Sequence, residues 1–600
     1  MGLLQQAALT YDCHSALAGE VREGHEILAP VSHLVTRADL EVTLDRDGAF
    51  VSARKVEKTE PKILIPATEE SGGRTVNLAP HPLCDQLKYI APYHTEKYTA
   101  YLKQLSQWEQ SADTHPKLKP ILAYVAGGTI LDDLTQYGLI SCSSKGIPEN
   151  EKQLVRWVVL DANEGQPNAC WLDKSLFQSF MNYEIHQREK RKKSLCMVSG
   201  TMSVAAGSHP KGIVSLNGNA KLISANDKTN YTYRGRFSDE FQAATVSYAV
   251  SQKAHNALRW LVAEQHVYFG GRAFLCWNPQ GKRIPNPTAA LAFLGHDLPP
   301  AVTPSAYQQQ LEHTLYSFRQ DNQLTGNETV VIAAFDAATP GRLALTDYCE
   351  QQASVFLSRL HNWDTQCNWE NGRFGIQSPS LFQIVSNAFG AQRLEKGSWK
   401  MTADDRVCRQ QMQRLMDCKL SAGQRISPDI VRVLAQRASA PQAYERNIWL
   451  NILFTACAVI KKYRHDQYKE EWTVALDTNN TNRSYLFGRL LAIAEKVERD
   501  TYGAGEERET NALRMQTIFS RRPLYAWRIL EEKLNPYYSR LTSSSRQYYK
   551  RLTGEIVTAL EDCTQALDRP LEDVYLLGYY SQRQAFYKKN DKTHDETTEE

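Results

Sequence analysis

The sequence predicts an α+β protein: a mixed α/β N-terminal region over residues 1–380, then a mostly helical second half ending in a C-terminal helical bundle. Three observations carry this. Leu40, Val42 and Leu44 alternate with polar residues as a half-buried strand does; Val330 to Phe335 is an unbroken apolar run closed by a turn; and beyond about Leu381 helical periodicity takes over with few strand signals. At about 150 residues per domain, 600 residues allow several folding units, and 42% apolar content is enough for substantial cores.

The elements follow in chain order. After Leu44, Asp47-Gly48 tolerates positive φ and precedes Phe50 and Val51, so a hairpin is predicted. Tyr98, Leu102, Leu105 and Trp108 recur at helical spacing behind a start at Thr95 and Glu96. Asp239 to Gln265 sets Ala243, Val246, Val250, Ala254, Leu258 and Leu261 on one side without Gly or Pro, which predicts one long core-facing helix. Val330–Phe335 and Arg342–Leu345 flank Thr339-Pro340-Gly341 and read as adjacent strands. Helical patterns at Asp429–Ala438 and Tyr444–Tyr463 make 381–476 a helical connecting region. Asp477 to Asn482 has neither periodicity nor apolar content, so 477–484 reads as a linker. Leu486–Ala494, Leu524–Leu534, Tyr548–Leu560 and Leu571–Phe586 then supply a bundle over 485–589, and the charged tail 590–600 is expected to be disordered.

The most apolar run, Ile448 to Ile460, is interrupted by Asn451 and Thr455 and falls short of the roughly 20 residues that cross a bilayer, so it reads as a buried helix. Met1 to Gln6 lacks the features of an export signal, and a cytoplasmic protein with no membrane attachment is expected. In a reducing compartment the twelve cysteines are expected to be free thiols. Lys and Arg number 70 against 67 acidic residues, a balance of +3, so affinity for nucleic acid has to come from local patches.

No Walker loop, dinucleotide fingerprint, paired zinc ligands or H-E-x-x-H helix occurs, so no catalytic residue, cofactor or metal is assigned. His81, Cys84 and Asp85 hold the residue types of a thiol nucleophile and its base, but groups so close in sequence rarely meet in that geometry. The second function considered, a metal-dependent nuclease or other nucleic-acid hydrolase, would use Asp132 with Asp133 or Asp404 with Asp405, whose adjacency turns them apart like surface charges.

Three patches suit polynucleotide. Ser71-Gly72-Gly73-Arg74-Thr75-Val76-Asn77 offers backbone that can approach a groove closely, with a guanidinium and a carboxamide as hydrogen-bonding heads; alone it also reads as a flexible surface turn. Ser208-His209-Pro210-Lys211, with Asn217, Asn219, Lys221, Asn226 and the cations and tyrosines up to Arg236, mixes groups for phosphates and unstacked bases. The run Arg188, Lys190, Arg191, Lys192, Lys193 precedes it, although such a run is more often a solvated helix face. Asn511 to Arg551 carries nine Arg or Lys against two Glu, with aromatic residues interleaved; the rings are expected to be mostly core and the cations, Arg521, Arg522, Arg540 and Arg546 among them, mostly functional.

Three stretches resemble the large subunit of the type I-C CRISPR Cascade surveillance complex. They are Gly72 through Tyr89 with the helix behind it; Cys196-Met197-Val198-Ser199-Gly200, His209-Pro210-Lys211 and Leu222 to Asn226; and Tyr485 to Leu490 with Leu577 to Arg583. The resemblance implies a non-enzymatic subunit that recognises the protospacer-adjacent motif on double-stranded DNA, helps open it, and holds the displaced strand while guide CRISPR RNA pairs with the other. It implies motif sensing by Gly72, Gly73, Arg74 and Asn77, and further DNA or guide contacts at Lys211, Asn217, Asn219, Lys221 and Asn226. Here the basic residue follows the glycines, whereas in that family it precedes them. The implied partners are the backbone, handle-processing and small subunits of Cascade and a recruited helicase-nuclease. Relatives make the small subunit from an internal start, expected here near residue 480, since Met515 would truncate the first bundle helix.

Overall fold

In the computed structural model all residues are described except 75–77, 215–218, 225–243, 295–298, 340, 504, 507, 564–565 and 596–600, and except the side chains of 292, 293, 338 and 588–595. The chain divides into two units, Met1–Lys282 with Thr329–Glu350, and Arg283–Glu328 with Gln351–Glu600.

The predicted hairpin is present in the first unit. Asp45 Oδ1 accepts the N–H groups of Asp47 at 3.0 Å and Ala49 at 2.8 Å, and Gly48 takes φ 92°, where a Cβ would meet the Pro120 carbonyl oxygen at 2.7 Å. The strand Leu40–Leu44 lies between Phe50–Lys55, antiparallel, and Val155–Val159, parallel. Its inward residues pack with Trp108 of the predicted helix, here Thr95–Glu109, and with Trp157 and Phe180.

A second core in this unit stands on the antiparallel sheet Arg342–Gln352, Thr329–Thr339, Arg272–Trp277, Tyr268–Phe269. The strand pair predicted around residue 340 is therefore present, although Pro340 lies outside the described residues. The helix Tyr248–Gln265 covers it with Ala254, Leu258 and Leu261, joined by Leu3 and Ala7 of the helix Leu3–Cys13. This helix starts later than its periodicity suggests. Ser247 Oγ accepts the Val250 N–H at 3.3 Å as an N-cap, and the Val246 carbonyl accepts Ala206 N–H at 2.8 Å, so extended pairing claims the residues just before the cap. Asp239 to Ala243 lie outside the described residues.

The second unit is mostly helical, with one departure. Ala391–Glu395 and Ser398–Thr402 form a hairpin that the sequence reading missed, turned by Lys396 and Gly397 at φ 49° and 78°. The apolar run becomes the core of the helix Arg446–Tyr468, with Ile452 through Ile460 buried. The helices Arg483–Arg499, Asn511–Arg521, Pro523–Arg540, Ser543–Glu561 and Tyr575–Asp595 follow. The closing helix thus runs to Asp595, into the stretch expected to be disordered, while 596–600 lie outside the described residues.

The first and last of these five helices cross at glycines. A Cβ at Gly488 would fall on the Tyr575 carbonyl and one at Gly578 on the Tyr485 carbonyl. The bundle also rests on the helices before it: Arg464 Nε donates to Asp573 at 3.0 Å, Ser439 Oγ bonds the Tyr575 hydroxyl, and Cys457 Sγ donates to the Leu576 carbonyl at 3.6 Å. Between them, Asn482 caps the helix at Arg483 and Asp477 N–H donates to Tyr485 at 3.1 Å.

Candidate nucleic-acid interface

Thr68 opens the short helix Glu69–Gly73 by accepting the Ser71 N–H at 3.1 Å, and the Glu69 carboxylate anchors this turn to a segment far along the chain. One Glu69 oxygen accepts the Ser208 N–H; the other accepts Arg188 Nη1 at 3.0 Å. Lys211 and Lys221 face each other across an antiparallel bridge. Lys221 Nζ donates to Ser208 Oγ at 2.7 Å and Lys211 Nζ to the Arg74 carbonyl at 3.4 Å, while a Cβ added at Gly73 would sit 3.7 Å from Lys221 Nζ. The glycine turn and the two lysines, two separate patches in sequence, therefore meet.

Among the described residues neither ammonium makes an ion pair; their acceptors are neutral oxygens. Burial first, then the Arg259 and Arg74 guanidiniums, holds Lys211 below the ordinary lysine range. Burial and Lys211 do the same to Lys221, with Glu69 opposing. Two crowded, half-desolvated cations with neutral partners are stabilised by an arriving anion. His209, bonded to Ser251 Oγ at 2.8 Å, contributes no charge near neutral pH, because burial and then Lys221 pull it down to about 4. Gly72, Gly73, Ser208, His209 and Lys211 line a cleft of about 540 Å³, and a Cβ at Gly72 would meet nothing within 4 Å.

Arg74 is placed otherwise than the sequence reading supposed. Its guanidinium forks onto Asp85, with Nη1 at 2.8 Å from Oδ2, donates to the Ala79 carbonyl at 2.8 Å, and lies 4.4 Å from the Tyr89 ring centroid. Asp85 is fully buried and also accepts the N–H groups of His81 and Gln86, each at 2.7 Å. The pair fastens the loop, leaving the guanidinium little to offer a groove. Cys84 is buried and burial pushes its thiol well above the ordinary range, which makes it inert as a nucleophile.

Asn77, Asn217 and Asn226 lie outside the described residues, and Asn219 is exposed. In the basic run Arg188 is buried between Glu184 and Glu69, 3.4 Å from the Tyr248 ring centroid, whereas Lys190 through Lys193 are exposed. Sequence reading missed Arg259, which holds the Lys211 carbonyl through Nε at 3.0 Å; the available sign was a cation between the core-facing Leu258 and Leu261.

The bundle cations Arg521, Arg522, Arg540 and Arg546 are all exposed. Arg522 lies 3.5 Å from Asp568 and over the Tyr525 ring, Arg540 is near the Tyr537 ring, and Arg546 donates to the Leu541 carbonyl at 3.2 Å. Arg522 precedes and Arg540 ends the same helix, roughly 27 Å apart at 1.5 Å per residue, so they form a track rather than a pocket. Of the interleaved rings, Phe519, Trp527 and Tyr549 are buried and Tyr525 is exposed.

The carboxylate pairs have local work. Asp133 Oδ2 accepts Tyr124 at 2.7 Å and Thr129 at 2.9 Å, and Asp404 caps the helix Asp405–Leu420 through the Arg406 N–H at 2.9 Å. Among the described residues no group of three or more His, Cys, Asp or Glu side chains is placed to hold a metal ion, and no helix is long and apolar enough to cross a membrane. A family model described as CRISPR-associated protein (Cas_Csd1) matches residues 11–587. No curated protein matches the chain.

Proposed function

Because the chain belongs to the Cas_Csd1 family of CRISPR-associated proteins, we propose that it is the non-catalytic large subunit of a type I-C Cascade surveillance complex. In this role it recognises the protospacer-adjacent motif on double-stranded DNA, promotes duplex opening and R-loop formation, and holds the displaced strand while guide CRISPR RNA pairs with the other. The observation that supports it is the meeting of the Gly72–Gly73 turn with Lys211 and Lys221, whose ammonium groups are balanced by neutral oxygens.

Glycine backbone can enter a groove, and the lysines position phosphates without reading sequence, so discrimination is coarse and the motif degenerate. The partners of this reading are guide RNA, the backbone, handle-processing and small subunits, and a helicase-nuclease. A small subunit begun near residue 480 would keep the Asn482 cap of its first helix.

Lys211→Ala combined with Lys221→Ala in the assembled complex is expected to weaken binding of motif-bearing duplex by about tenfold or more, since hydrogen bonds to charged groups are worth about 1.5–3 kcal/mol. Binding of a pre-opened bubble should change far less, and equal losses on both substrates would defeat the reading. Arg521→Gln with Arg540→Gln should lower the log–log salt slope of single-strand binding by roughly 0.7 per lost phosphate contact. A slope that does not move would mean these cations touch no phosphate.

A further inference from the structure

The helical unit holds a cleft of about 520 Å³, within the range of small-ligand sites, bounded by the helix Pro428–Ala438, the end of Arg446–Tyr468, the end of Asn511–Arg521 and the segment Pro570–Tyr575. Tyr463 and Tyr468 form one wall, their ring centroids 6.0 Å apart and their planes nearly perpendicular, and Tyr468 is 55% exposed. The two acidic residues that line it, Asp573 and the exposed Glu572, are answered by Arg464, which donates to them at 3.0 Å and 2.9 Å and lies 5.3 Å from the Tyr468 ring centroid, leaving the other face of that ring open. Arg432 and Arg521, on different helices at the rim, are exposed, and among the described residues neither makes an ion pair or hydrogen bond. Thr517 and Ser520 are satisfied as donors by the Ser439 and Thr517 carbonyls, at 2.9 Å and 3.0 Å, which leaves their oxygens as acceptors.

We infer that this cleft takes one unstacked nucleotide of a single DNA strand, its base against Tyr468 and its phosphate between Arg432 and Arg521. The inference rests on the proposed function and adds a site to it. An exposed aromatic face and two unanswered guanidiniums are the pairing that single-strand sites combine, because every base has a face to stack and every linkage a charge to meet. Continuity favours a strand over an acidic peptide. Arg521 is followed directly by Arg522, from which the exposed cations run along the bundle, so a strand following them reaches the cleft.

The test uses the full chain and single-stranded oligothymidine carrying iodouracil, irradiated and mapped by peptide mass spectrometry. Crosslinks at Tyr463 or Tyr468 are expected. Tyr468→Ala should weaken oligothymidine binding about tenfold and Tyr468→Phe much less, while Arg432→Gln should lower the salt slope by roughly 0.7. These side chains are at the surface, so the variants are expected to fold. Absence of both crosslinks overturns the inference, as does undiminished oligothymidine binding by a folded Tyr468→Ala protein. Intact motif recognition on duplex alongside a missing crosslink sinks the cleft alone; loss of all DNA binding by the unsubstituted protein sinks the parent reading as well.

Discussion

Gly488→Ala is expected to lower thermal stability by several degrees, with Gly578→Ala doing the same from the other helix. Each glycine faces a carbonyl of the opposite backbone, Tyr575 and Tyr485 respectively, so an added methyl has no flexible side chain to push aside and the helices themselves must part. Overpacking usually costs about 1–3 kcal/mol and more where the obstacle is main chain. Separation also strains the buried polar contacts across the same crossing, Arg489 to Gln582 at 3.1 Å and Tyr579 to Glu495. The control is Gly554→Ala in the helix Ser543–Glu561, where a Cβ meets nothing within 4 Å and helix propensity predicts a gain of up to about 1 kcal/mol. A melting temperature for Gly488→Ala that matches or exceeds that of Gly554→Ala would show that the helices do not meet at glycine.

The second large effect is at Arg74. Arg74→Ala leaves Asp85 buried without its cation, and losing one partner of such a pair costs about 3–5 kcal/mol. Two companions separate this from a lost DNA contact. Arg74→Lys keeps the charge but not the fork that spans both Asp85 oxygens, so it should fail to restore stability, whereas a phosphate contact would be largely rescued. Asp85→Asn should also destabilise the protein, although removing a carboxylate near DNA would by charge alone strengthen binding. Chemical denaturation of the three variants reads the difference; full stability in Asp85→Asn would return Arg74 to the interface.

Much of the fold was legible because its signals are local. Asp47-Gly48 between alternating residues, the period of Tyr98 to Trp108 and the apolar run at Val330 each state their structure within a few residues. The helix before Gln265 was read too long because a periodic face does not reveal that Val246 will be drawn into extended pairing with Ala206. The Lys396-Gly397 turn was present in the sequence but stood inside a region already read as helical.

The interface divides along the same line. Composition and order were enough to select the glycine turn, Lys211 and Lys221, and the bundle cations as unlike the rest of a nearly neutral chain. What they could not express is which charges are spent internally. Arg74 and Arg188 look like their neighbours in a string of letters, yet the fold pairs each with a buried carboxylate, Asp85 and Glu69, whereas among the described residues Lys211, Lys221, Arg432 and Arg521 make no ion pair. Charge type is a property of the residue, whereas the free energy of burying and pairing it depends on groups brought together from distant parts of the chain, so availability to a ligand emerges only on folding.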